Sequence, residues 1–329
     1  MTKFLIIGLG SMGKRRIRNL QYLKAGEILG FDPNEDKRKE AKEKYNIKAV
    51  GSFQEAIKEN PDIFIISTPP DKHNEYIKLA IENKKPAFVE ASVILGGLND
   101  LNELAKKNNV FVAPSCTLKF HPAIKEIKNI IESGKYGKIT NFSYHLGQYL
   151  PDWHPRENVK DFYVGKKETG GAREMVAFEL TWLADVVGFP KDIAGFFGKT
   201  IEMGADVDDT YVMSLDFGGR YGSVTIDVVS RSYVRNLILN LEKGQILWKW
   251  EDNFFRIFNA ETKEWQQCSY EKGKAADGYN ENIIEEMYIE EIKAFINALK
   301  GEGKFPNSID SDIKVLKLLN KVEKKYDKN

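Results

Sequence analysis

The sequence predicts an α/β protein with two domains: a doubly wound parallel sheet at the N-terminus, and then an α+β domain with an open, mostly antiparallel sheet. Two observations lead to this prediction. In the first third of the 329 residues, short apolar runs alternate with segments of helical period, as in a parallel sheet that helices cover on both faces. After residue 139 the strand-like runs follow one another directly, which is typical of antiparallel sheets. We therefore divide the chain into domains 1–118 and 119–329.

The chain opens on a strand, a glycine-rich turn and a helix. The apolar run Lys3–Ile7 leads into Gly8, Gly10 and Gly13, which have the GxGxxG spacing. The first glycine permits the turn, the second lets a pyrophosphate approach the backbone, and the third lets the helix pack close to the strand. A second predicted strand ends at Asp32, close to the offset of about 20 residues expected for a carboxylate that binds an adenosine ribose. These residues predict dinucleotide binding; a turn without a ligand is the alternative.

The remaining elements follow from the apolar spacing. In the first domain we predict strands at 28–31, 62–67, 86–90 and 110–113, and helices at 74–81 and 98–107. In the second domain we predict a helix at 122–133, strands at 139–147, 194–200, 210–217, 221–230, 234–241 and 246–250, and two closing helices with apolar core stripes. Ligands of a doubly wound sheet bind beyond the carboxyl ends of its strands, so we expect the site in the loops there.

The composition excludes several classes of protein. The net charge is +1, with acidic and basic residues interspersed, so no overall field attracts nucleic acid or a membrane surface. Cys116 and Cys268 provide neither a disulfide framework nor a metal-binding spacing. No apolar run approaches the ~20 residues that span a bilayer, and the N-terminus enters a strand rather than a signal peptide. We expect a soluble, cytoplasmic protein without a metal site.

Five motifs make the chain resemble the glucose–fructose oxidoreductase/inositol 2-dehydrogenase/MocA (Gfo/Idh/MocA) family over nearly its whole length. They are the glycine stretch Gly8–Arg15, the loop Ser67–Pro70 followed by His73, Lys119–Pro122 (similar to RFxP, with lysine for arginine), Ser133–Ile139 (similar to SGxIGxI) and Tyr288–Phe295 (similar to YxxExxxF). The resemblance implies a Rossmann domain that binds NAD or NADP and a second domain that binds a sugar or polyol. It also implies hydride transfer between a hydroxyl-bearing carbon and nicotinamide, and a homodimer or homotetramer.

The resemblance further implies which residues hold the dinucleotide. Gly8, Gly10, Ser11, Met12 and Gly13 would surround the pyrophosphate, Asp32 would bind the adenosine ribose, and Ser67, Thr68, Pro69, His73 and Glu90 would line the nicotinamide side. Asp32 favours NAD over NADP, because a carboxylate accepts ribose hydroxyls but repels a 2′-phosphate. Lys14, Arg15 and Lys37 could soften that repulsion. For His73, the alternative is a helix-terminal residue that faces solvent.

The catalytic residues of the family are missing. Its lysine lies in a Glu-Lys-Pro tripeptide, where this chain has Glu90, Ala91 and Ser92. Its Asp-x-x-x-His pair aligns with Glu174 and Phe178. A positioned base contributes about 10²–10⁴-fold to such a reaction, so the loss of both groups suggests a changed mechanism or no redox turnover.

Replacement groups are available in the second domain. We take Glu174, His154 and Tyr163 as candidate catalytic residues, and Lys119, Tyr149, Trp153, Arg156 and Arg173 as candidate substrate-binding residues. Tyr149 and Trp153 suit stacking on a sugar, and Arg173 suits bidentate binding of a carboxylate or phosphate. The alternatives are packing for Trp153, a neighbouring carboxylate for Arg173, and a fixed extended loop for His154, which precedes a proline.

Three functions are compatible with these residues. The first is an NAD-dependent oxidoreductase that acts on a sugar or sugar derivative, including an acidic or nucleotide-linked one. The second is a non-redox sugar-binding or regulatory protein that retains the dinucleotide, which Ala91 and Phe178 support. The third is an enzyme that keeps NAD tightly bound and recycles it within one catalytic cycle.

Overall fold

The computed structural model describes residues 1–153, 158–271, 273 and 284–326. The chain divides into two compact units, one formed by Met1–Thr117 with Glu285–Ile313, and one formed by Leu118–Ile284 with Lys314–Asn329. The predicted division assigned residues 285–313 to the second domain, and here the structure differs. Ile292 and Phe295 are fully buried in the core of the first unit, and the burial of these apolar side chains holds the segment there.

The first unit contains a six-stranded sheet in which all neighbouring strands are parallel. The strands are β1 (Lys3–Ile7), β2 (Glu27–Phe31), β3 (Lys48–Val50), β4 (Ile63–Ile66), β5 (Ala87–Val89) and β6 (Val112–Pro114). The connecting helices are α1 (Ser11–Tyr22), α2 (Glu35–Tyr45), α3 (Phe53–Lys58), α4 (His73–Glu82) and α5 (Leu98–Lys107). The spatial order β3-β2-β1-β4-β5-β6 is the doubly wound order of dinucleotide-binding sheets, so the predicted fold of this unit is confirmed.

The centre of this sheet explains why the apolar runs were easy to recognise. All four residues of β4 are buried, as are the last four of β1, because helices cover both faces of the sheet. The chain order reverses between β1 and β4, which opens a crevice at their carboxyl ends. The edge strand β3 was not predicted, because it has only three residues and begins with an exposed lysine.

The second unit contains an eight-stranded sheet in the order β14-β13-β12-β11-β7-β10-β9-β8. The strands are β7 (Ile139–Tyr149), β8 (Asp192–Gly198), β9 (Thr210–Asp216), β10 (Tyr221–Asp227), β11 (Val229–Leu241), β12 (Gly244–Lys249), β13 (Phe254–Asn259) and β14 (Glu264–Ser269). Two helices belong with them, α6 (Pro122–Glu132) and α7 (Gly171–Val187). Neighbouring strands are antiparallel except for β7 and β10, which confirms the predicted mostly antiparallel sheet.

One face of this sheet is buried and the other is open. In β9 the side chains of Tyr211, Met213 and Leu215 are buried, whereas Val212 between them is 49% exposed. The predicted alternation is thereby confirmed. The strands β13 and β14 were not predicted, and β14 lacks this signal because nearly all of its side chains are exposed.

The last two helices are α8 (Glu285–Leu299) and α9 (Ile309–Tyr326). Their predicted apolar stripes are confirmed as core residues, including Ile292 and Phe295 of α8, and Leu319 and Val322 of α9. Among the described residues, no helix is long and apolar enough to cross a bilayer.

Candidate functional site

The glycine turn between β1 and α1 has the geometry that its spacing predicts. Gly8 has a φ of +93°, and a Cβ placed on it would lie 2.7 Å from the carbonyl oxygen of Ser67. A Cβ on Gly13 would overlap the carbonyl oxygen of Gly8, so the helix approaches the end of the strand closely only because residue 13 is a glycine. A Cβ on Gly10, by contrast, would meet no heavy atom of the described residues within 4 Å. Open space therefore lies beside the N-terminus of α1, where Ser11, Met12 and Gly13 present backbone N–H groups, and this fits a pyrophosphate.

The carboxylate of Asp32 is fixed at the end of β2. It accepts hydrogen bonds from the backbone N–H of Leu9 at 2.9 Å and from that of Asn34 at 2.9 Å, one on each oxygen. A carboxylate oxygen has a second lone pair, so Asp32 can still accept hydroxyl groups. Its bond to Leu9 also ties it to the glycine turn. This arrangement fits the two hydroxyls of an adenosine ribose.

Two of the cations that were expected to soften the repulsion of a 2′-phosphate have carboxylate partners. The ammonium of Lys14 lies 2.8 Å from the Glu40 carboxylate. The Arg15 guanidinium lies 3.1 Å from the Glu285 carboxylate and 4.1 Å from the centre of the Tyr288 ring. These contacts favour NAD, since a cation that is already neutralised attracts a second anion less strongly.

Ser67 and Glu90 lie side by side at the carboxyl edge of the parallel sheet. They directly follow Ile66 and Val89, which are register partners in β4 and β5. The Ser67 hydroxyl donates to the Glu90 carboxylate at 3.3 Å. Arg16 of α1 donates two hydrogen bonds to the same carboxylate, at 2.6 and 2.9 Å. The predicted nicotinamide side thus contains a carboxylate that a guanidinium fork holds in place.

His73 is 1% exposed, so the alternative that it faces solvent is wrong. Its Nε2 lies 2.9 Å from the carbonyl oxygen of Thr68, which can only accept, and its Nδ1 lies 3.0 Å from the Ser92 hydroxyl. Burial lowers the pKa of His73, which favours the neutral ring; Nε2 then donates to Thr68 and Nδ1 accepts from the Ser92 hydroxyl. His73 therefore clamps the Thr68–Pro69 loop against the segment after β5. The Thr68 hydroxyl oxygen is shielded from water and has no hydrogen-bond partner among the described residues.

In the second unit, Glu174 lies in the first turn of α7. The Tyr163 hydroxyl donates to its Oε1 at 3.2 Å. Its Oε2 is shielded from water and has no partner in the part of the chain that the structure describes. Burial raises the pKa of Glu174 to about 8, against the lowering effect of the Tyr163 hydrogen bond. Phe178 lies one turn further along the same helix face. A carboxyl group with such a pKa can take or give a proton near neutral pH.

The candidate aromatic residues lie in different surroundings. Trp153 is half-buried, and its indole N–H is shielded from water without a partner among the described residues. The amide of Gln148, in β7, contacts the sulfur of Met175 in α7. Tyr149 follows Gln148, so it alternates to the other face of the strand, where the Arg231 guanidinium lies 3.8 Å from the centre of its ring.

The candidate cations of the second unit are engaged with carboxylates. Arg173 donates to the Glu323 carboxylate at 2.7 Å and to the carbonyl oxygen of Glu168 at 2.7 Å. Lys119 lies 3.7 Å from the Asp185 carboxylate. The contact between Arg173 and Glu323 agrees with the alternative named for Arg173 above, in which its partner is a carboxylate of the protein rather than the substrate. The candidates His154 and Arg156 lie outside the described residues. Within the described ranges, no group of three or more His, Cys, Asp or Glu side chains could hold a metal ion.

Sequence reasoning assigned no role to Arg16 or Glu291, although Glu291 is the glutamate of the Tyr288–Phe295 motif. Arg16 follows the glycine motif and is completely buried, and Glu291 lies fully buried in the helix α8 that was interpreted as an apolar core stripe. A usable signal exists for Glu291, because a carboxylate on the buried face of an otherwise apolar helix needs a buried partner.

Two family models match the chain. The model of the oxidoreductase family with an NAD-binding Rossmann fold matches residues 2–115, and that of the GFO/IDH/MocA C-terminal domain matches residues 124–247. The chain is 28% identical over 138 residues to myo-inositol 2-dehydrogenase of Thermotoga maritima, covering 40% of this chain and 41% of that protein. It is 25% identical over 192 residues to the uncharacterized oxidoreductase YhhX of Escherichia coli K12, covering 57% of this chain and 53% of that protein. The chain thus spans about half the length of these relatives.

Solved structures share the whole fold. An oxidoreductase from Agrobacterium radiobacter, solved with NAD+, L-tartaric acid and magnesium, has a TM-score of 0.87 at 13% identity, covering 98% of this chain and 95% of that chain. Levoglucosan dehydrogenase, solved with NADH, has a TM-score of 0.85 at 17% identity, covering 99% and 97%. Given the two matching models and this shared two-unit fold, the chain belongs to the Gfo/Idh/MocA oxidoreductase family, whose Rossmann domain binds NAD.

Proposed function

We propose that the protein is an NAD-dependent oxidoreductase that transfers a hydride between nicotinamide and a hydroxyl-bearing carbon of a sugar or sugar derivative, with Glu174 as the proton acceptor. The observation that carries the proposal is the Glu174 carboxyl group: one oxygen is bound by Tyr163, the other has no partner among the residues that the structure describes, and burial raises its pKa to about 8. Such a group supplies the proton transfer that Ala91 and Phe178 cannot supply.

The roles follow from the chemistry of alcohol oxidation. The glycine turn and Asp32 would hold NAD, which would supply the acceptor for the hydride that leaves the carbinol carbon. As the C–H bond breaks, the ionised Glu174 carboxylate takes the hydroxyl proton, and the carbon–oxygen bond becomes a carbonyl. Tyr163 holds the other carboxylate oxygen and so orients the group. In the reverse direction the protonated Glu174 returns the proton to the carbonyl oxygen. His154 remains a further candidate for the same role.

Asp32 and the glycine turn support NAD over NADP in this proposal. Both oxygens of Asp32 accept hydrogen bonds from backbone N–H groups, which fix the position of the carboxylate. The 2′-phosphate of an NADP ribose bound to Asp32 would lie close to this negative charge. We expect Asp32→Asn to lower kcat/KM for NAD roughly tenfold. The ratio of kcat/KM for NAD to kcat/KM for NADP should also fall. Asp36→Asn, an exposed carboxylate on the adjacent helix, is the matched control.

The substrate class is supported by the relatives. Myo-inositol 2-dehydrogenase and levoglucosan dehydrogenase are named for polyhydroxylated substrates. A neutral sugar or polyol needs no cation, which suits a site where Arg173 and Lys119 have carboxylate partners. An acidic or nucleotide-linked sugar is the second option, and Arg156 is then the candidate for its anion.

The test is a panel of neutral and acidic sugars with NAD, followed by NADH absorbance. We expect turnover with at least one sugar, and a loss of about 10²–10⁴-fold in Glu174→Gln. Glu168→Gln is the control, because Glu168 is an exposed carboxylate in the same segment. If the protein binds NAD but the absorbance stays flat across the panel, the oxidoreductase proposal fails.

The absence of the family's lysine and histidine favours two other candidates. A sugar-binding or regulatory protein would bind dinucleotide and sugar without turnover. An enzyme that recycles tightly bound NAD would form product without consuming added NAD. Product analysis in the presence and absence of added NAD distinguishes both from the first proposal.

We also propose a homodimer or homotetramer in the cytoplasm. Support comes from the open face of the eight-stranded sheet, which exposes large apolar side chains on one side: Phe196, Val212, Tyr221, Ile238 and Trp265. Patches of this kind commonly mark protein interfaces. Sedimentation of the wild type and of Val212→Lys with Ile238→Lys tests this proposal, and a monomeric wild type would refute it.

A further inference from the structure

Three polar residues directly follow adjacent strands of the parallel sheet. Ile66, Val89 and Pro114 are aligned in register across β4, β5 and β6, and Ser67, Glu90 and Ser115 come next in each strand. Because the strands are parallel, these three side chains share the carboxyl edge where a doubly wound sheet binds its ligand. Only Ser67 and Glu90 were assigned to the nicotinamide side. Ser115 connects the same edge to α8.

Glu291 of α8 is the centre of this connection. It is 0% exposed, and it accepts hydrogen bonds from the Ser115 hydroxyl at 2.9 Å and the Thr117 hydroxyl at 2.9 Å. The backbone N–H of Cys116 donates to its Oε1, and Arg16 Nη2 donates to its Oε2 at 2.8 Å. Burial raises the pKa of Glu291. Nitrogen donors on both oxygens nevertheless stabilise the ionised form, because neither donor can become an acceptor.

Arg16 joins Glu291 to Glu90. Its guanidinium is 0% exposed and donates to Glu90 through Nε and Nη2, while Nη2 also serves Glu291. Its Cζ lies 4.6 Å from the centre of the Phe88 ring and 5.3 Å from that of the Tyr288 ring. Burial acts to lower the pKa of Arg16, but the two carboxylates raise it, so the guanidinium stays charged. One cation thus faces two carboxylates, which leaves one net negative charge in the cluster.

We propose that Glu291 is a positioning residue for the nicotinamide side of the site: it holds Arg16 in the fork that fixes Glu90, and it leaves a net negative charge that favours the oxidised nicotinamide ring. The ring is positively charged in NAD+ and neutral in NADH, so a nearby negative charge stabilises the first relative to the second. The inference rests on the proposed NAD site. It assigns to α8 an influence on the direction in which the enzyme works.

The experiment is a calorimetric titration of the full-length protein with NAD+ and with NADH. In Glu291→Gln we expect the ratio of the two affinities to shift roughly tenfold toward NADH, equal to about 1.4 kcal/mol of differential binding. Arg16 keeps the Glu90 partner in this variant, so the protein should still fold. Glu290→Gln is the matched control, because it removes an exposed carboxylate from the same helix and should leave the ratio unchanged.

Glu291→Asp separates the charge from mere packing. It retains the charge but shortens the side chain, so we expect a ratio within about twofold of the wild type even if the melting temperature falls. An unchanged ratio in a folded Glu291→Gln would overturn the inference, as would an equal shift in Gln and Asp variants. If Glu291→Gln does not fold, the Asp variant decides by itself. A change in its ratio of NAD+ and NADH affinities relative to wild type would then overturn the inference. If the wild type binds neither nucleotide, the proposed function fails instead.

Discussion

At the scale of single residues, the Glu174 carboxyl group predicts how activity depends on pH. Its pKa is raised to about 8 because burial penalises the charged form. A base must be ionised, so the rate of alcohol oxidation should rise as the pH passes through about 8. The reverse reduction needs the protonated acid, so it should fall over the same range. Profiles of kcat/KM against pH in both directions measure this, and parallel profiles would contradict the assigned role.

The same carboxyl group predicts a gain in stability when it is removed. Its pKa in the folded protein lies above the usual 4.5, so the folded state binds the proton more tightly than the unfolded state. Rising pH therefore costs stability between pH 4.5 and about 8. The free energy of unfolding of Glu174→Gln minus that of the wild type should therefore increase by about 2–4 kcal/mol from pH 5 to pH 8. Urea titrations at the two pH values measure the gain, and no change with pH would contradict it.

Single residues also mark the limit of the sequence analysis. Glu174 and Tyr163 were both candidates, and the structure brings them to 3.2 Å. Arg173 was assigned to the substrate, but its partner Glu323 is 150 residues away in the chain, where no local pattern reveals it. Arg16 was missed for the same reason, since its pairing with Glu291 spans 275 residues; the buried face of α8 signals that Glu291 needs a partner but does not identify it. Long-range pairing of charges is the information that periodicity does not contain.

At the scale of elements, the predictions succeeded where burial imposes a period. The strands β1 and β4 were found because both faces of each are covered, and β9 because one face is. Helix α5 was predicted at residues 98–107, the range that the structure shows. The strands β3 and β14 were missed because the first is three residues long and the second is almost fully exposed. Neither has enough buried positions to produce a pattern.

The helix α7 is held to its sheet by a buried carboxylate, which predicts two unequal effects on stability. Glu179 accepts hydrogen bonds at 2.6 Å from the Tyr144 hydroxyl, the Trp182 indole N–H and the Arg235 guanidinium. Glu179→Leu would leave Arg235 buried without this carboxylate and should cost about 3–5 kcal/mol. Tyr144→Phe removes two hydrogen bonds, the one that Tyr144 donates to Glu179 and the one that it accepts from Arg235 Nε at 3.2 Å, and should cost about 1–3 kcal/mol. Urea denaturation of both variants tests the order, and equal losses would refute it.

At the scale of the whole molecule, each unit is built from separate stretches of chain. The first unit includes residues 285–313, which contain α8 and the start of α9, after the chain has passed through most of the second unit. The sequence analysis placed one boundary because the strand pattern changes once. The return of α8 leaves no such mark, since its apolar stripe would suit the core of either unit.

This organisation predicts the behaviour of a truncated protein. Residues 1–118 alone lack Ile292 and Phe295, both 0% exposed in the first unit. Losing a large buried side chain costs about 3–5 kcal/mol, which is comparable to the whole stability of a small domain. We expect no cooperative thermal transition in residues 1–118. Joining residues 285–313 through a flexible linker should restore the transition, and the same protein with Phe295→Asp should lose it again. Circular dichroism on heating measures all three.

The divided first unit also has a consequence for synthesis of the chain. When the ribosome has made residue 117, all six strands of that unit's sheet have been synthesised, but helix α8 (Glu285–Leu299) begins 168 residues further on, since 285 − 117 = 168. At about 5–20 residues per second, the nascent sheet waits roughly 10–40 s for it. Throughout that interval the aromatic surface around Phe88 lacks the Phe295 ring that covers it in the finished protein. A chaperone that recognises exposed apolar surface therefore has a defined window in which to bind this chain.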